Sequence, residues 1–572
     1  MKGFSVIEVL LAAAMFMIFS VATGTVVLQG FSGNRLGEEQ TIASQYATEG
    51  LEAARSIKNQ AFTGLVNSAG VGIVQFGGVW TFSGANNQFG PSNKYTRVLS
   101  ITDVLRDGSG NIVASGGTLD PDTKKITSTV SWNFGPSRPD SVVLTSYLSD
   151  WRKPLETGGP IMMAYSKTTT TPFYRTWNGT AWSAEASAQT VGGNINYVAL
   201  KSSRTRNEAA LGTLDANGNI NVQIWNGTSW GAPTLMVNLG AGNSTTRSFD
   251  FDYERNGDRL VVAYPAGAGN IDFAYRIWDG TSWSSATTIT TPPTTSIVRW
   301  IDVTQNPLAA SNEIALIMLD NNIDVYAMAW NGSSWGTMDN PAVWDNTAAI
   351  ATEKVIDVAY EQTSGRAIFI WGDSVATDQY YRIWNGSTLT AAALLDIPLS
   401  GGVANWVELV PRPSSNELMY GVLDGGSDIN TRKWSGSGWD SNPPHTEHTA
   451  GAENNSSMVF DIIWETHPTN PGEAWLMWGN GSAISKKQWS GSAWGAASTL
   501  TGSDDTSFIR LKADPSSGAI FAGIYEDTTS AADDIWESRL TGGGTTWSAK
   551  NIIWGGPTSA TPVFFRIDIA TP

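Results

Sequence analysis

No cysteine occurs among the 572 residues. Its absence excludes disulfide staples, thiolate metal sites and a cysteine nucleophile. Histidine is almost missing as well, with 3 residues, His445, His448 and His467, and the spacing of His445-Thr-Glu-His448 is wrong for a zinc-protease helix. Charged side chains make up only 15%, and 35 Lys and Arg stand against 52 Asp and Glu for a net charge of -17. Without a basic stripe to displace phosphate counterions, nucleic acid is excluded as a partner. The acidity serves solubility. What the chain does have is 59 Gly and 26 Trp, a balance suited to many short strands joined by tight turns and packed with aromatic rings. Its length calls for two or more folding units.

The N-terminus reads Met1-Lys2-Gly3-Phe4-Ser5-Val6-Ile7-Glu8-Val9-Leu10-Leu11, and no further charge appears until Arg35. That apolar run is long enough to span a bilayer. An ordinary secretory signal is cut after its apolar core, whereas here the Gly3-Phe4 junction precedes the run. Glu8 is the one acid in this apolar helix, and intramembrane acids are functional candidates because their burial is costly without a partner.

These residues resemble the class III signal of type IV prepilins and pseudopilins. The resemblance implies a leader over 1–3, cleavage by a prepilin peptidase after Gly3, N-methylation of Phe4, and pairing of Glu8 with the N-terminal amine of a neighbouring pilin subunit during filament assembly. A plain signal anchor with Glu8 at the membrane interface is the alternative. Beyond the apolar run, Ala43, Tyr46, Ala47, Gly50, Leu51, Ala54 and Ile57 recur at steps of three and four, predicting an amphipathic helix that continues the first. Glu38, Glu39, Glu49, Glu52, Arg55 and Lys58 are expected mostly off that face. Strands are predicted over 95–102, 110–115, 125–134 and 141–151, with Pro136 and Pro139 punctuating the last hairpin. A helix over 4–58 on a small antiparallel head over 59–152 is similar to a pilin. A Gly- and Pro-containing linker follows at 153–160.

From residue 161 the chain repeats with a period of roughly fifty residues, which points to four short strands per unit and a β-propeller. The recurring turns include Trp177-Asn-Gly-Thr-Ala-Trp182, Trp225-Asn-Gly-Thr-Ser-Trp230, Trp278-Asp-Gly-Thr-Ser-Trp283 and Trp330-Asn-Gly-Ser-Ser-Trp335. Later copies begin at Trp384, Trp434 and Trp489, and a degenerate one runs from Leu540 to Trp547. Asn-Gly and Asp-Gly are hairpin signals because glycine tolerates positive φ. Within the second unit, strands are predicted over 196–200, 209–214 and 221–225, with a fourth starting at Trp230. Paired tryptophans across each turn suit structural packing; a carbohydrate-stacking platform is the sharper alternative. The first unit lacks an innermost strand and the chain ends on one, at 562–570, so 161–572 should close as eight blades, the C-terminal strand completing the first.

The turns partly resemble the Asp-box of sialidase-like propellers, as at Gly227 and Trp230, although Trp225 stands where that box has Asp. The Asn-Gly-Thr and Asn-Gly-Ser triplets are also glycosylation sequons, and the turn explains them without sugar. Asp215-Ala-Asn-Gly-Asn219 and Asp107-Gly-Ser-Gly-Asn111 read as turns rather than calcium loops. At matching places in the innermost strands stand Asp250, Asp302, Asp357, Glu408, Asp461 and Asp568, with Arg510 in the seventh unit and Ala199 nearby in the second. These acids either bond to an adjacent blade's backbone or converge on the axis as a cation or ligand site, calcium being the one cofactor they suggest.

The fold class expected is mainly β: a pilin-like N-terminal helix with a small sheet, then an eight-bladed propeller. The function implied is that of a membrane-inserted and then extracellular minor pilin, presenting the propeller for adhesion or for recognition of a ligand, with glycans as the candidate class. The competing class is a pseudopilin-linked secretion component or exoenzyme such as a glycoside hydrolase, but no pair of carboxylates is singled out for catalysis.

Overall fold

A computed structural model describes the chain except for residues 1–4, 61, 108–110, 136, 150–159, 168, 290–295, 339–342, 376–377, 400, 442–444, 454–456, 468–469, 471, 504–505, 527–533, 556–566 and 572, and the side chains at 63, 118, 121 and 122. Gly3, Phe4 and all of 153–160 except Pro160 therefore lie outside the described residues. The chain divides into two compact units, Met1–Pro154 and Leu155–Pro572.

The first unit is built on one helix, Val6–Gln60, of 55 residues. Ser5 and Glu8 form a reciprocal cap at its start, with the Ser5 amide donating to Glu8 Oε2 at 2.9 Å and the Ile7 amide to Ser5 Oγ at 3.3 Å. From Ser5 to Arg35 every residue is exposed, and this stretch is long and apolar enough to cross a membrane. The second half behaves differently. Ala43, Ala47, Gly50, Ala53, Ala54 and Ile57 are buried, matching the face read from the sequence, and they pack on the sheet. Gly50 is needed for that approach: a Cβ there would lie 2.6 Å from Ser128 Oγ. Glu39 departs from expectation. It is buried, and Arg35 at 2.8 Å and Lys94 at 2.5 Å neutralise it.

The sheet is antiparallel in the order Ser68–Val71, Tyr95–Arg106, Thr118–Gly135, Arg138–Ser149, and Asn87–Phe89 and Ile112–Val113 also pair with Tyr95–Arg106. Strands predicted over 95–102 and 125–134 are longer than expected, while the one predicted at 110–115 shrinks to Ile112–Val113. Pro139 sits on the edge strand, where its missing N–H does no harm. Arg97 ties helix to sheet from within: it is buried and donates to the Tyr46 carbonyl at 2.9 Å, Glu49 at 3.0 Å and Asn87 Oδ1 at 3.1 Å.

The second unit is an eight-bladed propeller of antiparallel sheets. In the first blade Ile567–Ala570 pairs with Met162–Ser166, so the C-terminal strand closes the ring as predicted. The second blade runs Ile195–Ser202, Ala209–Asp215, Asn219–Trp225, Thr234–Asn238. Trp230 does not open the outer strand. It makes a single bridge to Trp225, and Pro233, which has no amide to donate, delays pairing to Thr234.

Blades alternate in kind, which the sequence reading did not foresee. Innermost strands of even blades are long, as in Ile195–Ser202, Val298–Gln305 and Ala404–Pro411, whereas those of odd blades are short, as in Asp250–Tyr253, Ile356–Tyr360 and Phe460–Trp464. Separate apolar clusters join blades one to two, three to four, five to six and seven to eight. The remaining interfaces merge into one continuous core. Where even blades carry Gly212, Gly421 or Gly523, a Cβ would collide with Phe249 and Phe251, Phe460 and Ile462, or Ile567 and Ile569 of the following odd blade. The structural repeat is thus a pair of blades.

Candidate functional site

The tryptophan turns are interblade joints. Glycine takes φ near 94° at Gly227, and Asn226 Oδ1 accepts from the Thr228 and Ser229 amides at 3.1 and 2.9 Å, so the sequon asparagine is engaged in the turn. Ring centroids lie 5.5 Å apart for Trp177–Trp182 and Trp278–Trp283, 5.7 Å for Trp225–Trp230 and 5.9 Å for Trp330–Trp335. Trp225, Trp230, Trp330 and Trp335 are buried, which removes them as sugar-stacking platforms; Trp177, Trp182, Trp278 and Trp283 are partly covered and pack on the core.

In four turns the first indole donates to a glutamate of the preceding blade: Trp278 to Glu208 at 3.0 Å, Trp330 to Glu254 at 2.6 Å, Trp384 to Glu313 at 3.1 Å and Trp434 to Glu361 at 2.7 Å. Glu254 and Glu361 have side chains at 0% exposure, and Arg259 and Arg366 grip them through two nitrogens each. Those arginines also donate to the turn carbonyls of Gly332 and Gly436 at 2.6 Å. Where Leu540 replaces the indole, Glu465 bonds Trp475 of its own blade instead, at 2.8 Å. Trp330→Phe keeps the ring but leaves the Glu254 carboxylate short of a donor. It should cost about 1–3 kcal/mol, measured by denaturant titration against Trp283→Phe as a control; an unchanged midpoint would refute the joint.

Along the axis the six predicted acids do stand at equivalent places, and four of them share one pattern. Asp250, Asp357, Asp461 and Asp568, all in odd blades, accept from the backbone amides of Val303 at 3.0 Å, Leu409 at 2.6 Å, Leu511 at 2.7 Å and Leu200 at 2.9 Å in the next even blade. Their first duty is to fasten blade to blade. In even blades the same place holds Ala199, Asp302, Glu408 and Arg510.

Two residues before that place stand Tyr197, Trp300, Trp406 and Phe508, which are 2%, 1%, 3% and 2% exposed. Trp300 meets Tyr197 edge-on at 6.4 Å and Trp406 at 5.7 Å, so aromatic rings fill the axis at this level. Beyond them lies a cavity of about 130 Å³ lined by Lys201, Arg247, Lys354, Arg510 and Lys512 together with Asp250, Asp302, Asp357, Glu408 and Asp568.

This corrects the picture of six like charges meeting one another. Arg510 lies 3.5 Å from Glu408, 3.7 Å from Asp461 and 3.5 Å from Asp568; Arg247 lies 3.5 Å from Asp250 and 3.3 Å from Asp302; Lys354 lies 3.2 Å from Asp357 and 3.5 Å from Glu408. No cluster of three or more ligating side chains suited to a metal ion occurs among the described residues, so the calcium expectation has no site here. Burial alone would lower the Arg510 pKa, but Asp568, Asp461 and Glu408 outweigh it and raise it. Burial, Asp302 and Glu408 push Asp357 well up against the pull of Lys354; burial would raise Asp302 as well, but Lys354 and Arg247 hold it low. Arg247 and Lys354 sit three residues before Asp250 and Asp357, a spacing visible in the sequence that would have revealed them.

Other suggested sites resolve as structure. Asp215 Oδ1 accepts from the Asn217 and Asn219 amides at 2.9 and 3.0 Å, as a turn does. His448 bonds Thr431 at 2.8 Å and packs on Trp494, and burial and Lys487 push its pKa down to about 3.

The chain matches no family model, and no curated protein matches it. Among solved structures it is similar to a lectin from Burkholderia pseudomallei, at 10% identity and a TM-score of 0.44, covering 63% of this chain and 100% of that one. A second likeness is to the six-bladed, fucose-recognising lectin of Aleuria aurantia, at 14% identity and a TM-score of 0.33, covering 55% of this chain and 97% of that one. None of these likenesses carries a ligand or a residue's role over to this chain.

Proposed function

We propose that the protein is a minor type IV pilin-like subunit that presents its propeller outside the cell for ligand recognition, with glycans as the ligand class. The observation that carries this reading is the division of a single 55-residue helix into a wholly exposed apolar half containing Glu8 and a half buried in an antiparallel head. A hydrophobic segment left bare over its whole girth needs lipid or other helices around it, and a lone carboxylate within it needs a partner there. The Gly3-Phe4 junction supplies that partner after cleavage by a prepilin peptidase, in the form of a new N-terminal amine on the adjacent subunit. Propeller features agree with binding rather than turnover: carboxylates and tryptophans are spent on joints between blades.

Glu8→Leu keeps the hydrophobicity, so the variant should insert in the membrane yet fail to enter filaments, as read by membrane fractionation and immunoblotting of sheared filaments. Incorporation at the wild-type level would overturn the assembly role. Glycan-array binding by the full chain in detergent tests the recognition role.

A further inference from the structure

Beyond the charged cavity the axis opens into a second one of about 150 Å³, lined by Leu200, Lys201, Ser202, Arg204, Asp252, Gln305, Lys512, Ile569, Ala570 and Thr571. Lys201 and Lys512 border both cavities. In contrast to the inner cations, these side chains are poorly matched. Lys201 lies 3.6 Å from Asp252, which is itself occupied by the amide and side chain of Gln305 at 3.1 and 3.3 Å; burial would lower the Lys201 pKa, but Asp252, Asp250, Asp568 and Asp302 raise it. Lys512 has neither hydrogen bond nor ion pair among the described residues, and burial and Arg510 both depress its ammonium pKa. Arg204 faces the same space and feels Arg255 as a further cation. Three basic groups and one carboxylate line the opening, although the whole chain is strongly acidic. An opening of about 150 Å³ has room for a small oxyanion.

We infer that this axial opening is a binding site for a small oxyanion, the carboxylate of an acidic sugar or a sulfate or phosphate group, held by Lys512, Lys201 and Arg204. Lys512 and Lys201 supply charge from opposite sides of the ring closure, in blades eight and two, and Arg204 supplies a fork of donors. A bound anion relieves the repulsion among Lys512, Lys201 and Arg510. Thr571 borders the site with a further hydroxyl, whereas the Ser202 hydroxyl donates to the Pro160 carbonyl at 2.7 Å.

The site deepens the recognition role proposed above. Full-length protein in detergent is titrated with glucuronate, inorganic sulfate, inorganic phosphate and neutral glucose, following heat by calorimetry and melting temperature. Glucuronate should bind and raise the melting temperature, weaken with salt, and lose roughly tenfold or more in affinity in Lys512→Met. That variant should melt no lower than wild type without ligand, because it removes an unpaired cation. Sulfate or phosphate binding with the same loss assigns the site to the bare oxyanion; glucuronate alone assigns it to the acidic sugar. No binding by any anion, equal binding of glucose, or wild-type affinity in Lys512→Met overturns the inference. Neutral-glycan binding on the array that is indifferent to Lys512→Met leaves the recognition role standing while this site falls.

Discussion

Removing residues 567–572 should bring the melting temperature of the propeller down by roughly ten degrees or more. Ile567–Ala570 is the only strand of the first blade contributed by the far end of the chain, and it is paired along its length with Met162–Tyr165. Ile567 and Ile569 are buried at 1% and 0% exposure and lie in the core shared by neighbouring blades. Truncating one buried isoleucine costs roughly 2–5 kcal/mol, so losing both amounts to a large share of the roughly 5–15 kcal/mol by which a folded domain is stable. Asp568 goes with them, leaving the Leu200 amide and part of the Arg510 charge unanswered. A raw edge then appears on Met162–Ser166, and unpaired edges invite association. Calorimetry and light scattering on the full and shortened chains read both effects. A peptide spanning 560–572 added to the shortened chain should restore much of the loss by re-forming the strand. Identical melting curves for the two chains would show that the ring does not depend on this clasp.

How much of this was legible beforehand depended on whether the signal was local. The blade count was, because seven turns repeat Trp-x-Gly, an eighth keeps the glycine after Leu540, and glycine's positive φ at Gly227 is a requirement of a single hairpin. The closure was, because a chain that starts on a second strand and ends on a first has one way to satisfy both. Helix amphipathicity from Ala43 to Ile57 was equally local. What escaped was whatever depends on which side chains meet across blades. Glu254 and Trp330 are far apart in sequence, and nothing near either marks their bond. The alternation of blades was hidden because odd and even turns share one motif. Its traces lay elsewhere, in the eight-residue innermost strands Ile195–Ser202, Val298–Gln305 and Ala404–Pro411 of even blades. Glu39 was placed with the solvent-facing charges because its buried state depends on Lys94, which a later loop delivers. The axial acids were found but their partners were not, since Arg510 was seen as one exception rather than as the hub for Glu408, Asp461 and Asp568.

Arg510→Met is accordingly expected to destabilise the propeller by about 3–5 kcal/mol near neutral pH, the cost of leaving buried charges without their counter-ion. Methionine preserves much of the length that lies over the Phe508 ring, so the loss reads the charge more than the packing. The effect should carry a definite pH dependence. Asp461 is pushed up to about 7 from its ordinary 3.8 by burial and by Glu408, with Arg510 and the Leu511 amide pulling it back. Between those values the folded chain keeps a proton that the unfolded chain releases, so this group's contribution to stability falls as pH rises through the window and is level above it. Taking away Arg510 removes a force that favours the ionised form. The folded value of Asp461 then climbs further, and the window in which stability declines extends to higher pH. Wild type and variant should therefore lie closest together near pH 4 and separate progressively toward pH 8. Urea midpoints across this range give the measurement. Arg510→Lys, which retains the charge but not the fork, should recover part of the loss at the upper end. A variant that is destabilised equally at every pH would assign Arg510 a packing role and detach it from the axial carboxylates, and one as stable as wild type at pH 8 would remove it from the blade-fastening network altogether.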